Sequence, residues 1–542
     1  MSPPNVDEEV PLRAFSDLLR RNSLDYGDML AVVYGESHLT WSDLDDSISV
    51  VANALLQSHP DSSGMRVAIV MENRPEHLAS LYGSQRAGMV PAPISTRFVG
   101  REIRHVFETG DPGLCICSIH HQQQIIDAFP DADKRPPMVV VDGKSDKRAN
   151  IRTWDEFINK ASRNLPEIVV SSDELGVQLY TGGTTGLPKG TNFSHRALLD
   201  ACTLIPDHGL KLIFEGEVPE SALLPSDHEL KFLVPTPLYH LSGFMPAIIM
   251  TAMKRPVVFP KSLQFVPEEI VKIVEHEKVT AIFMVPTQFR IFLDYPDLDS
   301  SDLSSVTLLS SGGSKMPAEM KKEILRRFPE TVLVDGYGQT ENIGAAIYSF
   351  LTVDDIPKIT EGYIGKPING VEMRVVNEKG EDVAPGEVGE AIYRSPSLMR
   401  GYHGDDSMTK ESFDGEWFYT GDLFRVDEEG NYYYIERKSE VIFSGGEKVF
   451  PAEVEEIICQ HPKVESAVIV GIPDRVWGEI VRAFIVPVSG RKVTPDEITD
   501  WCSGKMATYK KPREIVIKQK LPVAEDGKIL RSALKDLNSG NG

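Results

Sequence analysis

Short apolar runs alternate with amphipathic stretches along most of the chain, which predicts a sheet covered by helices on both faces. The run over 66–70 reads as a buried strand, a helical period fills 75–87 with Gly88 suited to end it, and 89–93 reads as the next strand. Upstream, Thr40 or Ser42 can cap a helix carried by Val51, Ala52, Ala54, Leu55 and Leu56. Further strands are predicted at 176–180, 230–235, 281–285, 306–310 and 332–334, and helices at 267–276 and 317–328. This is an α/β pattern. It changes near residue 360, where short strands at 371–377, 389–394 and 432–436 are separated by turn residues and predict a small, barrel-like β subdomain. The final hundred residues read as α+β, with helices at 451–459 and 495–502 and strands at 464–470 and 482–488. The expected division is 1–437 and 438–542, with a mobile tail beyond Leu537. The polar, proline-containing stretch 207–228 reads as an extended surface loop, or as part of a lid. No repeat or low-complexity tract interrupts this order.

A chain of 542 residues is too long for one compact core. Hydrophobic residues make up 41% and charged residues 25%, the composition of a globular protein. The 57 Lys and Arg against 80 Asp and Glu leave a net charge of −23, which argues against a nucleic-acid partner and against anionic membrane surfaces. Anionic ligands must therefore be met by local positive charge and backbone N–H groups. The five cysteines are scattered, and Cys115 and Cys117 are too close for a zinc knuckle, so reduced thiols are expected. Residues 1–9 are polar and acidic, unlike a signal peptide, and no apolar run approaches the ~20 residues of a membrane-spanning helix. The expected setting is the cytoplasm, without an integral membrane segment.

The most informative segment is Tyr180-Thr181-Gly182-Gly183-Thr184-Thr185-Gly186-Leu187-Pro188-Lys189-Gly190, directly after a predicted strand. Its glycines let the backbone curl around an anion, its threonines add hydroxyl donors, and Lys189 adds charge. That is chemistry for a polyphosphate, although a glycine-rich turn without a ligand has the same composition. It is not a Walker A loop, because Lys189 lies between Pro188 and Gly190.

Thr184 through Gly190 resemble the signature loop of the adenylate-forming superfamily, which includes acyl-CoA synthetases, peptide-synthetase adenylation domains and luciferases. Relatives usually have Ser-Gly where this chain has Gly182-Gly183. Other segments resemble the family's motifs in the family's order. Pro237-Leu238-Tyr239-His240-Leu241-Ser242-Gly243 is similar to the segment beside the acyl pocket, and Ser310-Ser311-Gly312-Gly313 to the glycine pair that lies against adenine. Asp335-Gly336-Tyr337-Gly338-Gln339-Thr340-Glu341 matches a motif whose roles imply stacking on Tyr337, an α-phosphate bond from Thr340 and Mg²⁺ on Glu341. Trp417-Phe418-Tyr419-Thr420-Gly421-Asp422 resembles the segment whose aspartate holds the ribose hydroxyls, and Arg437 the ribose- and phosphate-facing arginine before the hinge. Ser439 falls at the hinge, where many relatives have Asp or Lys. Asp526-Gly527-Lys528-Ile529-Leu530-Arg531 matches the catalytic-lysine motif near the C-terminus.

The resemblance implies a large N-terminal adenylation domain and a small mobile C-terminal domain carrying Lys528. It implies ATP and Mg²⁺, an acyl-AMP formed with release of pyrophosphate, and transfer to coenzyme A. Lys528, Thr184, Thr185 and Glu341 are the implied catalytic residues. Thr181, Gly182, Gly183, Lys189, Gly312, Gly313, Asp335, Gly336, Tyr337, Gly338, Thr340, Asp422 and Arg437 would bind the nucleotide. Gly445, Gly446 and Trp477 would face coenzyme A, since Val470 to Asp474 and Trp477-Gly478-Glu479 also resemble coenzyme A ligases. His240, Phe244, Thr287, Gln288 and Ile343 suit an apolar acyl pocket, which favours a medium- or long-chain fatty or an aryl acid over an amino acid. A homodimer is one expectation. Two alternatives stay open. A separate carrier protein could accept the acyl group, although the absence of a fused carrier domain favours coenzyme A. A catalytically silent homologue would be expected to have lost Lys528, Glu341 or Asp422, and all three are present.

Overall fold

The computed structural model describes residues 12–181, 187–216, 218–219, 230–503, 505–522 and 529–535. The chain divides into two compact units, Met1–Ile359 with Pro367–Glu372 and Arg394–Glu416, and Thr360–Lys366 with Met373–Tyr393 and Trp417–Gly542.

In the first unit, a six-strand parallel run is ordered Leu30–Tyr34, Val257–Phe259, Phe232–Leu233, Ala281–Phe283, Leu308–Ser311, Val332–Tyr337. Antiparallel strands Ser37–Thr40 and Ile347–Leu351 flank it. A second sheet, Val90–Pro93, Arg66–Val70, Leu114–Ser118, Met138–Val141, Ile151–Thr153, is parallel throughout. Val90–Pro93, Leu114–Ser118 and Met138–Val141 are buried at every residue, which is why they read as apolar runs rather than as alternations. A third, antiparallel sheet joins Leu175–Thr181, Lys189–Ser194 and Gly401–Tyr402.

Local chemistry explains the helix starts. Thr40 caps Trp41–Ser58 in a capping box: its Oγ1 accepts from Asp43 N at 3.1 Å, while Asp43 Oδ2 accepts from Thr40 N at 3.0 Å. Pro75, Pro267, Pro286, Pro451 and Pro495 each occupy the first helical position, where a missing N–H costs nothing.

In the second unit, Glu372–Val376, Val388–Arg394, Trp417–Val426, Tyr432–Arg437 and Tyr363–Pro367 form one sheet path, antiparallel at the registered pairs. A further sheet contains the long antiparallel pair Val464–Asp474 and Gly478–Pro487, extended by Ile442–Ser444, Glu447–Val449 and the parallel strand Glu514–Ile517. On one face Val454, Ile458, Ile498 and Cys502 from the helices Pro451–Cys459 and Pro495–Cys502 pack with Ile469 and Ala483. On the other, Leu521 and Leu534 pack with Val468 and Phe484.

Three sequence readings are corrected. The surface loop expected over 207–228 begins as helix, because His195–Phe214 runs through Asp207. Pro206 sits inside that helix, and apolar positions such as Leu198, Ala201 and the half-buried Ile205 carry the helical face past it. Of the remainder, residues 217 and 220–229 lie outside the described set. The strand expected over 230–235 contracts to Phe232–Leu233, since Pro235 can donate no ladder hydrogen bond. Trp417–Val426, read only as a motif, is a ten-residue strand. All five cysteines are free thiols, four of them buried. Among the described residues no helix is long and apolar enough to cross a membrane.

Candidate active site

In the first unit, four adjacent parallel strands deliver the candidate residues at their carboxyl ends. Phe232–Leu233 leads to Tyr239, His240 and Phe244, and Ala281–Phe283 leads to Thr287 and Gln288. Leu308–Ser311 leads to Gly312 and Gly313, and Val332–Tyr337 to Gly338, Thr340, Glu341 and Ile343. A crevice beyond the carboxyl ends of parallel strands is where open α/β sheets bind ligands, since the strands fix several loops around one point. Ser311 pairs with Asp335 across the two last strands, so the Gly312-Gly313 backbone and the Gly336-Tyr337-Gly338 backbone emerge side by side.

Asp335 and Gly336 belong to the strand itself. The Asp335 side chain is 1% exposed and pairs with the equally buried Lys321 at 2.6 Å. Burial raises its pKa while Lys321 opposes the rise. Glu341 is half-buried, and its Oε1 accepts from Tyr402 Oη at 2.8 Å. Sequence reasoning missed Tyr402, which lies 61 positions away. A short strand brings it close, with Gly401 paired to Asn192 and Tyr402 to Thr191.

The phosphate-loop residues Gly182, Gly183, Thr184 and Thr185 lie outside the described residues, but both stems of the loop are defined. Thr181 pairs with Lys189 across the antiparallel strands. Pro188 O accepts from His105 Nε2 at 3.1 Å, and Gly190 O from His403 N at 2.7 Å. Lys189 Nζ lies 3.0 Å from Met408 Sδ.

On the acyl side, His240 precedes the helix Leu241–Ala252 and packs its ring on Tyr239 at 4.7 Å between centroids. A Cβ on Gly243 would lie 2.3 Å from Pro237 O and 2.4 Å from Thr236 O, so only glycine allows this helix to start where it does. Phe244 and Ile343 are buried in the core, whereas Thr287 is exposed. Gln288 Oε1 accepts from Val285 N at 3.1 Å.

The second unit contains the ribose-side candidates. Asp422 and Arg437 are cross-strand partners, with Arg437 Nε 2.9 Å from Asp422 Oδ1 and Nη1 donating to Thr420 O at 3.1 Å. Ser439 is exposed in the short 3₁₀ turn Lys438–Glu440. Gly445 and Trp477 are brought together: Gly445 N donates to Trp477 O at 2.8 Å, and a Cβ on Gly445 would lie 2.7 Å from the indole. The Arg513 guanidinium lies 4.1 Å from the Trp477 ring centre. Gly446 opens to solvent beside them. Lys528 lies outside the described residues. Its downstream neighbour Arg531 binds Glu455 at 2.6 Å, Glu440 at 3.0 Å and Ile469 O at 2.7 Å.

Glu436, beside Arg437, is buried and accepts from Ala452 N at 2.9 Å. Burial pushes its pKa up to about 7, with Arg531 opposing the rise and Glu440 and Glu455 adding to it. From its ordinary value of 4.5 up to about 7, the folded chain therefore holds a proton that the unfolded chain has released. Stability should fall as pH rises through that window, and Glu436→Gln should flatten the fall. Urea midpoints of both proteins at pH 5 and pH 8 check this, and an equally steep fall in the variant would contradict it.

A Mg²⁺ ion fits the first unit in one respect. Glu341 offers a half-buried hard oxygen donor with lone pairs beyond the one taken by Tyr402. Among the described residues no group of three or more His, Cys, Asp or Glu could cage a metal. One carboxylate, with phosphates and water supplying the other ligands, is a common Mg²⁺ arrangement.

Comparison with known proteins agrees with this geometry. A family model described as AMP-binding enzyme matches residues 19–403, and one described as AMP-binding enzyme C-terminal domain matches 453–528. A feruloyl-CoA synthase of Amycolatopsis sp is 30% identical over 507 residues, covering 93% of this chain and 95% of that protein. A long-chain-fatty-acid–CoA ligase of Bacillus subtilis is 28% identical, covering 99% and 97%. The solved o-succinylbenzoate CoA synthetase of Bacillus subtilis, in complex with its acyl-adenylate intermediate, superposes with a TM-score of 0.78 at 25% identity, covering 97% of this chain and 99% of that one. The chain belongs to the AMP-binding enzyme family, in the acyl-CoA synthetase branch of the adenylate-forming superfamily.

Proposed function

We propose that this protein is an AMP-forming acid–CoA ligase acting on an aryl or a medium- to long-chain fatty acid. The observation that carries the reading is the convergence of the acyl-side residues, the glycine pair and the Tyr337 to Glu341 segment at the carboxyl ends of four neighbouring strands. The relatives named for feruloyl-CoA and long-chain fatty acid activation support the acid class.

A carboxylate oxygen attacks the α-phosphorus of ATP, the bond to the β-phosphate oxygen breaks, and pyrophosphate leaves. No covalent nucleophile from the protein is needed. The protein must align two anions and offset their repulsion, so positioning and electrostatics supply the rate. In this reading Thr184, Thr185 and Lys189 hold phosphate, Thr340 bonds the α-phosphate, and Tyr337 with Gly312 and Gly313 encloses adenine. Asp422 and Arg437 hold ribose. Tyr402 fixes the Glu341 carboxylate, and Asp335 acts through Lys321 by anchoring the strand. When bound, Mg²⁺ on Glu341 neutralises phosphate charge. A thiolate then attacks the acyl carbon and AMP departs. Gly445, Gly446 and Trp477 are proposed to line the thiol's approach, with a boundary at 437/438 and a pivot at Ser439. A cytoplasmic location belongs to the same reading.

The test is a panel of carboxylic acids supplied with ATP, Mg²⁺ and coenzyme A, read by AMP and thioester formation. AMP and thioester in equal amounts with an aryl or fatty acid support the reading. AMP release without thioester would remove coenzyme A as acceptor.

A further inference from the structure

The five-stranded parallel sheet contributes none of the candidate site residues named above, yet the turn after its strand Arg66–Val70 reaches the acyl side. Asn73 in that turn donates from Nδ2 to Thr236 O at 2.8 Å and to Val234 O at 3.2 Å, and its Oδ1 accepts from Leu238 N at 2.8 Å. Three bonds from one side chain span the segment between the strand Phe232–Leu233 and Tyr239. The turn is itself held on both sides. Glu72 Oε2 accepts from Ser118 Oγ at 2.6 Å, and Arg74 pairs with Glu76 at 2.8 Å and Asp142 at 2.9 Å. Beyond the clamp, Thr236 Oγ1 donates to Ser242 O at 2.9 Å, and Gly243 closes on the Thr236 and Pro237 carbonyls. The 234–243 segment is thus bound to itself at one end and to Asn73 at the other, with Tyr239 and His240 between.

We propose that Asn73 is a positioning residue for the acid: it fixes the loop that presents Tyr239 and His240, and so sets acid recognition without touching the nucleotide. The inference rests on the ligase reading above. Only a carboxamide supplies two donors and an acceptor in this arrangement. Asn73→Asp keeps the shape and the acceptor but turns a carboxylate toward two carbonyl oxygens.

Asn53 provides a matched control in the same unit, where its Nδ2 lies within hydrogen-bond distance of Ser49 O, Ser162 O and Asn164 O, remote from the strand ends. With the best acid of the panel, Asn73→Asp should raise the KM for acid about tenfold while the KM for ATP stays within about twofold, and Asn53→Asp should leave both in place. Hydrogen exchange gives a second readout: the Leu238 amide should lose protection in Asn73→Ala, which removes its acceptor, while the Val332–Tyr337 strand keeps its own. A parallel rise in both KM values, the same acid effect from Asn53→Asp, or an unchanged Leu238 amide would overturn the inference. A wild-type enzyme silent with every acid would instead overturn the ligase reading, and Leu238 exchange would still decide whether Asn73 holds the loop.

Discussion

Lys321→Met should destabilise the first unit by about 3–5 kcal/mol at neutral pH, the cost of leaving a buried charge without its partner. Lys321, on the helix Ala318–Arg327, and Asp335, on the strand Val332–Tyr337, are each 1% exposed and lie 2.6 Å apart. Burial already raises the Asp335 pKa, and Lys321 supplies the main opposition. Without the ammonium, the carboxyl should take up a proton on folding. The loss should therefore grow as pH rises above 3.8, the ordinary aspartate value, and shrink toward acid. Lys321→Met combined with Asp335→Leu should recover most of the stability, because an apolar pair of similar volume needs no desolvation of charge. Urea unfolding of the full chain at several pH values measures all three proteins. A loss below about 1 kcal/mol in the single variant would show that the pair is solvated in solution.

The second large effect concerns the reaction. Lys528→Ala should slow acyl-AMP formation by about 10²–10³-fold, the loss seen when one preorganised donor is removed from a developing transition-state anion. Thioester formation from supplied acyl-AMP and coenzyme A should stay within a few-fold of wild type, since thiol attack on the acyl carbon places no new charge on pyrophosphate. The substitution leaves the neighbouring anchors untouched: Leu521 and Leu534 pack in one core cluster, and Arg531 keeps its ties to Glu440 and Glu455. Equal loss in both half-reactions would remove Lys528 from the adenylation step.

How much of this was legible in the sequence depended on the range of the interactions involved. The helices Pro451–Cys459 and Pro495–Cys502 match their expected spans because a proline at the first position marks the start locally. The parallel strands Arg66–Val70, Val90–Pro93 and Ala281–Phe283 were readable because each is an apolar run between turn residues, whereas Leu114–Ser118 and Met138–Val141 were not predicted. The helix through Asp207 was not, since Pro206 and the polar residues around it carry loop signals that tertiary packing overrides. At the site, the glycine-rich and Tyr337 to Glu341 segments stood out as contiguous motifs. Tyr402, Lys321 and Asn73 did not. Each acts on a partner 61, 14 or about 160 positions away, and no local pattern marks such a pairing before the sheets assemble.

The Asp422–Arg437 pair has a consequence for turnover. A carboxylate already holding a guanidinium at 2.9 Å does not wait for its ligand in bare solvent. In the ligase reading, where Asp422 and Arg437 hold ribose together, a ribose that reaches the pair must share a carboxylate the guanidinium already occupies. The net gain is a difference between two similar terms and is correspondingly small. In that reading, weak net attachment would suit a product that must leave every cycle: when AMP departs, Arg437 and Asp422 still hold each other across the same pair of strands.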